Sequence, residues 1–318
     1  MAFTKPIFSL GLDVPNCAFQ LPGDSSGLAA GWAVDAGAPA AMYGYFSGGI
    51  VGRPRLQRLV CSSSSSEIIR IVSAPASPYH LTVAEQTTLF GAMEVYASAS
   101  GNAIALQVEW YDSAGVLTGA ASNLISVATP LSGLVTGTAT VTPPGDAVFA
   151  KAAVRITHDD GATMTVDLAF AGVGCWDGSS SGYFQPTRFP VMPGVTHRLN
   201  LPDPGRYRSD LGVVRVVDRS RHGRQNVCPL AFTLMPNSDK LLFEKLATLN
   251  GGRNWEGTWA AANPHGGSWP ILLCPGMTGL PAAMLCDMTS GLAIEPDAEW
   301  GRTDPPFWNA AFEFTERG

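Results

Sequence analysis

The stretch AIALQVEWYDSAGVLTG, residues 103–119, decides the fold class. Ile104, Leu106, Val108 and Trp110 recur every second position, the period of a strand with one face in a core. Trp110 closes that inward set and is therefore expected to be core. The D-S-A-G that follows is a turn signal, with Asp112 placed so that its side chain can accept from backbone N–H groups two residues on. Val116 and Leu117 then start the expected return strand. The segment reads as a hairpin.

The same alternation extends outward from it. Residues 65–74 alternate after a run of five serines, Ser62–Ser66, that reads as a loop. Residues 80–99 hold two more candidate strands, and 137–158 and 162–174 follow. Period-two segments broken by turn signals every 8–15 residues predict an all-β sandwich. Further on, residues 211–236 alternate, turn at Ser220–Gly223 and alternate again, which predicts a long hairpin. NSDKLLFEKLATLNGG (237–252) predicts a helix at about 238–250. Asn237 or Ser238 can cap it, Leu241, Leu242, Lys245, Leu246 and Leu249 form its inward face, and Gly251 or Gly252 ends it. The remaining segments to residue 318 are strand-like.

Composition agrees. The chain has 318 residues, 46% of them apolar, enough for a sizeable core. Its 35 Gly and 24 Pro suit many short strands better than a helical bundle. Charged residues make up only 14%, against about 25% in a typical domain, so much of the surface must be uncharged or buried against partners. A net charge of −6 argues against a general nucleic-acid binder. Residues 1–182 carry 7 basic and 13 acidic side chains, whereas 183–318 carry 13 of each. The change falls in a Ser/Gly/Pro-rich stretch, which sets a domain boundary there: 1–182 and 183–318. The six cysteines show no CxxC and no regular spacing, so buried free thiols are expected. The first residues lack the apolar run of a signal peptide, and no stretch reads as a membrane span.

Two resemblances follow from ordered motifs. Gly31-Trp32, then QVEWYDSAGVLTG, TPPGDAVFAKAAVRIT and TMTVDLAFAGVG, resemble the carbohydrate-binding-module jelly rolls found in phage tail proteins. A strand pair, FTLMPNSDKLLFEKLATLNGG, SWPILLCPGMTGLPAAMLCDM and a closing NAAFEFTE are similar to the tail-hub-like barrel of minor and distal tail (baseplate) proteins of long-tailed double-stranded DNA phages. The resemblance implies an N-terminal jelly roll at 1–182 and a small barrel with one crossing helix at 183–318. It implies a structural tail-tip protein of the virion, made in the host cytoplasm, that forms a homo-oligomeric ring with neighbouring tail proteins and displays the jelly roll outward. A receptor-binding adhesin for host-surface saccharide stays open, as does a wall hydrolase with an appended binding module.

The candidate residues divide by chemistry. Sugar binding needs exposed rings, and Trp32, Tyr43, Tyr45 and Phe46 are the set expected to supply them, with Tyr79 and Trp176 further off. The resemblance also implies a structural calcium held through Asp167, although a hydrogen-bonded Asp167 is the plainer reading; no other cofactor is expected. Eight arginines against three aspartates between 183 and 224 make the strongest local charge signal, and Arg215, Arg219, Arg221 and Arg224 are expected at a subunit interface. No zinc spacing, phosphate loop or nucleophile elbow is present, and specific nucleic-acid binding is not expected. Glu295, Asp297, Glu299 and Asp304 are the carboxylates a hydrolase would draw on, but they read as a solvated loop face. No catalytic residue is assigned.

Overall fold

The computed structural model describes residues 4–11, 14, 16–19, 23, 27–46, 53, 55–62, 67–73, 88–99, 101–159, 161–175, 183–191, 205–208, 214–217, 226–250, 271–288, 293–297 and 307–316. The fold is all-β, with one helix among these residues. The first strands are β1 (Ile7–Gly11), β2 (Trp32–Ala36), β3 (Ala41–Phe46), β4 (Leu56–Cys61) and β5 (Glu67–Ser73). Then come β6 (Thr88–Ala97), β7 (Ala103–Tyr111), β8 (Ser122–Ala128), β9 (Leu131–Thr140), β10 (Phe149–His158) and β11 (Met164–Cys175). The later elements are β12 (Gly205–Arg208), β13 (Val214–Val217), β14 (Val227–Pro236), α1 (Asn237–Asn250), β15 (Ile271–Cys274), β16 (Met284–Met288), β17 (Ala293–Pro296) and β18 (Phe307–Glu316).

Two layers make the sandwich. A five-stranded sheet runs β2-β5-β10-β7-β8, and β3, β4, β11, β6 and β9 belong to a larger sheet. Ile69, Ile71, Ile104, Leu106, Val108, Trp110, Val154 and Ile156 from the first join Leu59, Met93, Val95, Met164, Val166 and Leu168 from the second in one core. The alternation of residues 103–111 is thus borne out, with Trp110 almost fully buried and its indole N–H on Ser122 Oγ at 3.1 Å. Gly91 lets the layers close, since a Cβ there would stand 3.0 Å from Leu106 Cδ2.

The turn also behaves as read. Asp112 Oδ1 accepts from the N–H groups of Ala114 and Val116, both at 2.9 Å. The return begins as read, with Leu117 in an antiparallel bridge to Tyr111 and the Thr118 N–H on the Trp110 carbonyl at 2.8 Å, but it is short. Val116 and Leu117 are exposed, and the partner of β7 is β8, from Ser122 onward.

The sheet does not break at residue 183. β1 pairs with β11 on one side and with β15 on the other, Ile7 opposite Cys274 and Leu10 opposite Cys175. From β15 the larger sheet continues through β16 and β18 to β14 and curls into a half-barrel. Phe8, on β1, lies 5.1 Å from the rings of Phe184 and Phe243 and 5.5 Å from Phe314. The charge step in the sequence therefore crosses a shared sheet and a shared core.

Two expectations need correction here. β13 pairs with β12 in a separate two-stranded sheet, and β14 pairs with β18, so 211–236 is not one hairpin across the described pairings. The turn at 220–223 lies outside the described residues. The helix falls where expected, but its inward face is Phe243 and Leu246, with Leu242 packed alongside, while Leu241 is exposed. Asp239 is buried too. It accepts from the Thr187 N–H at 2.7 Å and from Thr187 Oγ1 at 3.1 Å, pinning segment 183–191 to the first turn of α1. A leucine count could not see that a Phe and an Asp define the docked side.

Candidate functional site

The outer face of the larger sheet carries a row of side chains in register across five strands. Directly opposed residues of antiparallel strands point to the same face. Tyr43 on β3 opposes Arg58 on β4, Arg58 opposes Asp167 on β11, Asp167 opposes Tyr96 on β6, and Tyr96 opposes Ser132 on β9. At about 4.8 Å per strand, the two tyrosines stand roughly 14 Å apart with a charged pair between them. On one side the neighbouring row is Ala41, Val60 and Thr165, all small or short, and Arg58 and Asp167 are partly exposed.

The centre of the row is rigid. Arg58 Nε and Nη2 donate to Asp167 Oδ1 and Oδ2 at 2.6 and 2.7 Å, a two-pronged fork. Hydrogen bonding to Asp167 pushes the Arg58 guanidinium above its usual range. Both aspartate oxygens thus face a protein cation, which bears out the hydrogen-bonded reading of Asp167. Among the described residues no group of three or more His, Cys, Asp and Glu side chains could hold a metal. Tyr43 is 52% exposed at one end. Tyr96, at the other end, donates its hydroxyl to Glu94 Oε1 at 3.1 Å, and burial together with the Glu94 charge pushes its phenol up to about 12.

Tyr96 also opens the row onto a cavity of about 650 Å3, within the usual span of ligand sites. Its walls come from β1, β6, β9, β15 and the turn after β15, with Glu94 and Leu134 opposite one another on β6 and β9. Gly276 has a φ of +63°, and a Cβ there would come within 2.4 Å of Thr4 Oγ1, so only glycine lets that turn lie against the N-terminal segment. Behind the cavity sits Arg53, 1% exposed. It meets Glu94 Oε2 at 3.5 Å and Glu316 Oε1 at 2.7 Å, donates to the Ala283 carbonyl, and lies 5.4 Å from the centre of the Phe170 ring.

The sequence candidates fare unevenly. Tyr43 and Asp167, singled out for different chemistries, meet in one row through Arg58. Trp32 is a correction: it is 6% exposed, lies 4.9 Å from the Phe19 ring, and donates its N–H to the Asn16 carbonyl at 3.2 Å. It is a core residue, because β2 turns this side into the sandwich. Tyr45 and Phe46 lie on β3, but their side chains fall outside the description, as do Tyr79, Trp176, Arg219, Arg221 and Arg224 altogether. Arg215 stands opposite Tyr207 in the β12–β13 pair, again without a described side chain. Glu295 sits not on a loop but on β17, opposite Asn309, and is exposed; Glu299 and Asp304 are outside the described residues.

Arg58, Tyr96, Glu94 and Arg53 were not anticipated. The arginine in LQRLVC, between Gln57 and Leu59, signals an outward position on a strand, yet only the register shows what it meets.

A second polar cluster lies on the outer face of the five-stranded sheet. Arg70 bridges Asp35 and Glu109, and Glu109 Oε2 accepts from the Tyr111 hydroxyl at 2.7 Å. Lys151 Nζ stands 3.9 Å from the centre of the Tyr111 ring. Glu109 is fully buried, whereas Arg70 and Asp35 are partly exposed.

No protein-family model matches the chain, and no curated protein matches it. Partial matches to solved structures exist. A family-4 carbohydrate-binding module is 16% identical over 45% of this chain and 93% of its own, with a TM-score of 0.31. The enzymatically active domain of a bacteriophage CBA120 tailspike protein is 10% identical over 52% of this chain, TM-score 0.34, and an arabinose-bound α-L-arabinofuranosidase 18% identical over 52%, TM-score 0.36. This chain spans about a fifth and about a quarter of those two proteins.

Proposed function

We propose that the chain binds saccharide through the Tyr43–Arg58–Asp167–Tyr96 row, without cleaving it, as a displayed component of a long-tailed phage tail tip. The observation that carries the saccharide reading is the row itself, and the tail-tip setting rests on the resemblance of the ordered motifs. An exposed tyrosine ring offers a flat apolar face to the C–H side of a sugar ring, and the neighbouring fork offers donors and acceptors to its hydroxyls. Because Arg58 and Asp167 already hold each other, they are aligned before a ligand arrives and lose little freedom on binding.

Absence of cleavage is part of the proposal. Glycoside hydrolysis uses two free carboxyl groups flanking the bond. Here Asp167 is forked by Arg58, and Glu94 is held between Tyr96 and Arg53, which supports a binding role. A glycan array probed with the full chain tests the proposal: retention of a defined set of saccharides, lost in Tyr43→Ala, supports it, and an array without retention contradicts it.

Assembly into a ring with other tail proteins is a second reading, favoured by a separate observation. Phe189, Val191, Leu234 and Leu241 are all exposed and sit on segment 183–191, β14 and α1, where β14 ends the order of the larger sheet. Exposed apolar groups beside a sheet edge suit a protein–protein contact. Light scattering of the purified chain, which should give a defined oligomer dissociated by Leu241→Asp, tests it; a monomer at all concentrations speaks against it.

A further inference from the structure

We infer that the cavity beside Tyr96 receives the N-acyl group of an amino sugar. This rests on the saccharide reading of the adjoining row and names the class of sugar. The cavity is continuous with the row through Tyr96, so a chain lying across the sheet would bring a substituent of one ring to its mouth.

Its chemistry is mixed in a particular way. Ile7, Leu134, Met277 and Leu280 give apolar walls, and Glu94 supplies a carboxylate that is 2% exposed. Glu94 Oε1 accepts one hydrogen bond, from Tyr96, and a carboxylate oxygen can accept another. Arg53 faces two carboxylates, Glu94 and Glu316, which leaves one formal negative charge in surplus. Lys5, also at the cavity, is turned elsewhere: its Nζ donates to the Thr187 carbonyl at 2.7 Å and lies 5.3 Å from the Phe189 ring. The site thus asks for an N–H donor flanked by apolar surface.

An acylamino group meets both demands, its N–H on Glu94 and its methyl against Leu134 and Leu280. A plain hydroxyl would leave the apolar walls uncovered. A free ammonium would be stripped of water against those walls with a single carboxylate, already half engaged, in return.

Titration calorimetry of the full chain with tri-N-acetylchitotriose, its deacetylated trimer and cellotriose tests the inference. The N-acetylated trimer should bind roughly tenfold tighter than cellotriose, the worth of about one hydrogen bond with its apolar contact. Leu134→Trp, which fills the cavity, should bring it down to the cellotriose level; Ala282→Tyr, from the facing wall, serves if the first variant fails to fold. Equal binding of all three, weakened by Tyr43→Ala, would overturn the cavity inference and leave the saccharide reading standing. Tightest binding of the deacetylated trimer would also overturn it. Binding of none would overturn the cavity inference, and the glycan array then decides the saccharide reading separately.

Discussion

Arg53 Nη1 and Glu316 Oε1 meet at 2.7 Å across 263 residues of chain. Both side chains are almost fully buried, and Asn226 donates to the second Glu316 oxygen. The pair ties the start of the sandwich to the last strand of the half-barrel, beneath the cavity. Taking one partner away leaves a buried charge without its counter-ion, which typically costs about 3–5 kcal/mol. Glu316→Ala should therefore lower the unfolding free energy by that order, read from urea denaturation, while an exposed control such as Glu295→Ala should change it by less than about 0.5 kcal/mol.

The shared sheet predicts cooperative behaviour. Fragment 1–182 loses β15 as the partner of β1, loses Phe243 and Phe314 around Phe8, and leaves Arg53 without Glu316. It should lack sharp amide dispersion when expressed alone. The full chain should unfold in a single transition by circular dichroism and tryptophan fluorescence. Two separated transitions, or a well-dispersed fragment spectrum, would show that the halves fold independently.

How far the sequence reaches is visible in these same residues. Alternation marks which side of β5, β7, β10 and β11 is inward, because burial of one sheet face imposes period two directly. It cannot say which strand lies beside which. The β1–β15 pairing joins segments more than 260 residues apart, and neither carries a local mark of the other. The row has the same history: Tyr43 and Asp167 draw attention singly, but Arg58 and Tyr96 join them only once four strands are in register. Arg53, in GRPRL, reads as a surface loop arginine until Glu94 and Glu316 close around it.

Tyr96 gives a pH signature. Its phenol is raised from an ordinary 10.0 to about 12 by burial and by the Glu94 carboxylate. The folded state thus holds this proton more tightly than the unfolded chain. The contribution is complete below pH 10 and is lost as pH rises from there through about 12. Thermal melts over that window should show a fall in stability that is shallower in Tyr96→Phe than in the wild type. Parallel curves would place the Tyr96 hydroxyl in contact with water rather than Glu94.

The thiols should be silent. Cys17, Cys61, Cys228, Cys274 and Cys286 are free and buried, and burial pushes Cys228 and Cys274 up to about 12 and Cys286 well above the usual thiol range. A thiol that does not ionise does not react. An aromatic disulfide reagent at pH 8 should label none of these five at an appreciable rate in the native protein. In denaturant all six cysteines should react at once. Four or fewer reactive groups in denaturant would contradict free thiols throughout.

The saccharide row is the central claim, and a paired titration reads it most directly. The full chain, isotope-labelled, is titrated with tri-N-acetylchitotriose while amide shifts are followed on β3, β4, β11 and β6, and the titration is repeated with Tyr43→Ala. Saturable shifts centred on Tyr43, Arg58, Asp167 and Tyr96, with affinity reduced at least about tenfold in the variant, are what the row predicts. Shifts confined to the outer face of the five-stranded sheet around Arg70 and Tyr111, or an affinity untouched by Tyr43→Ala, would contradict it.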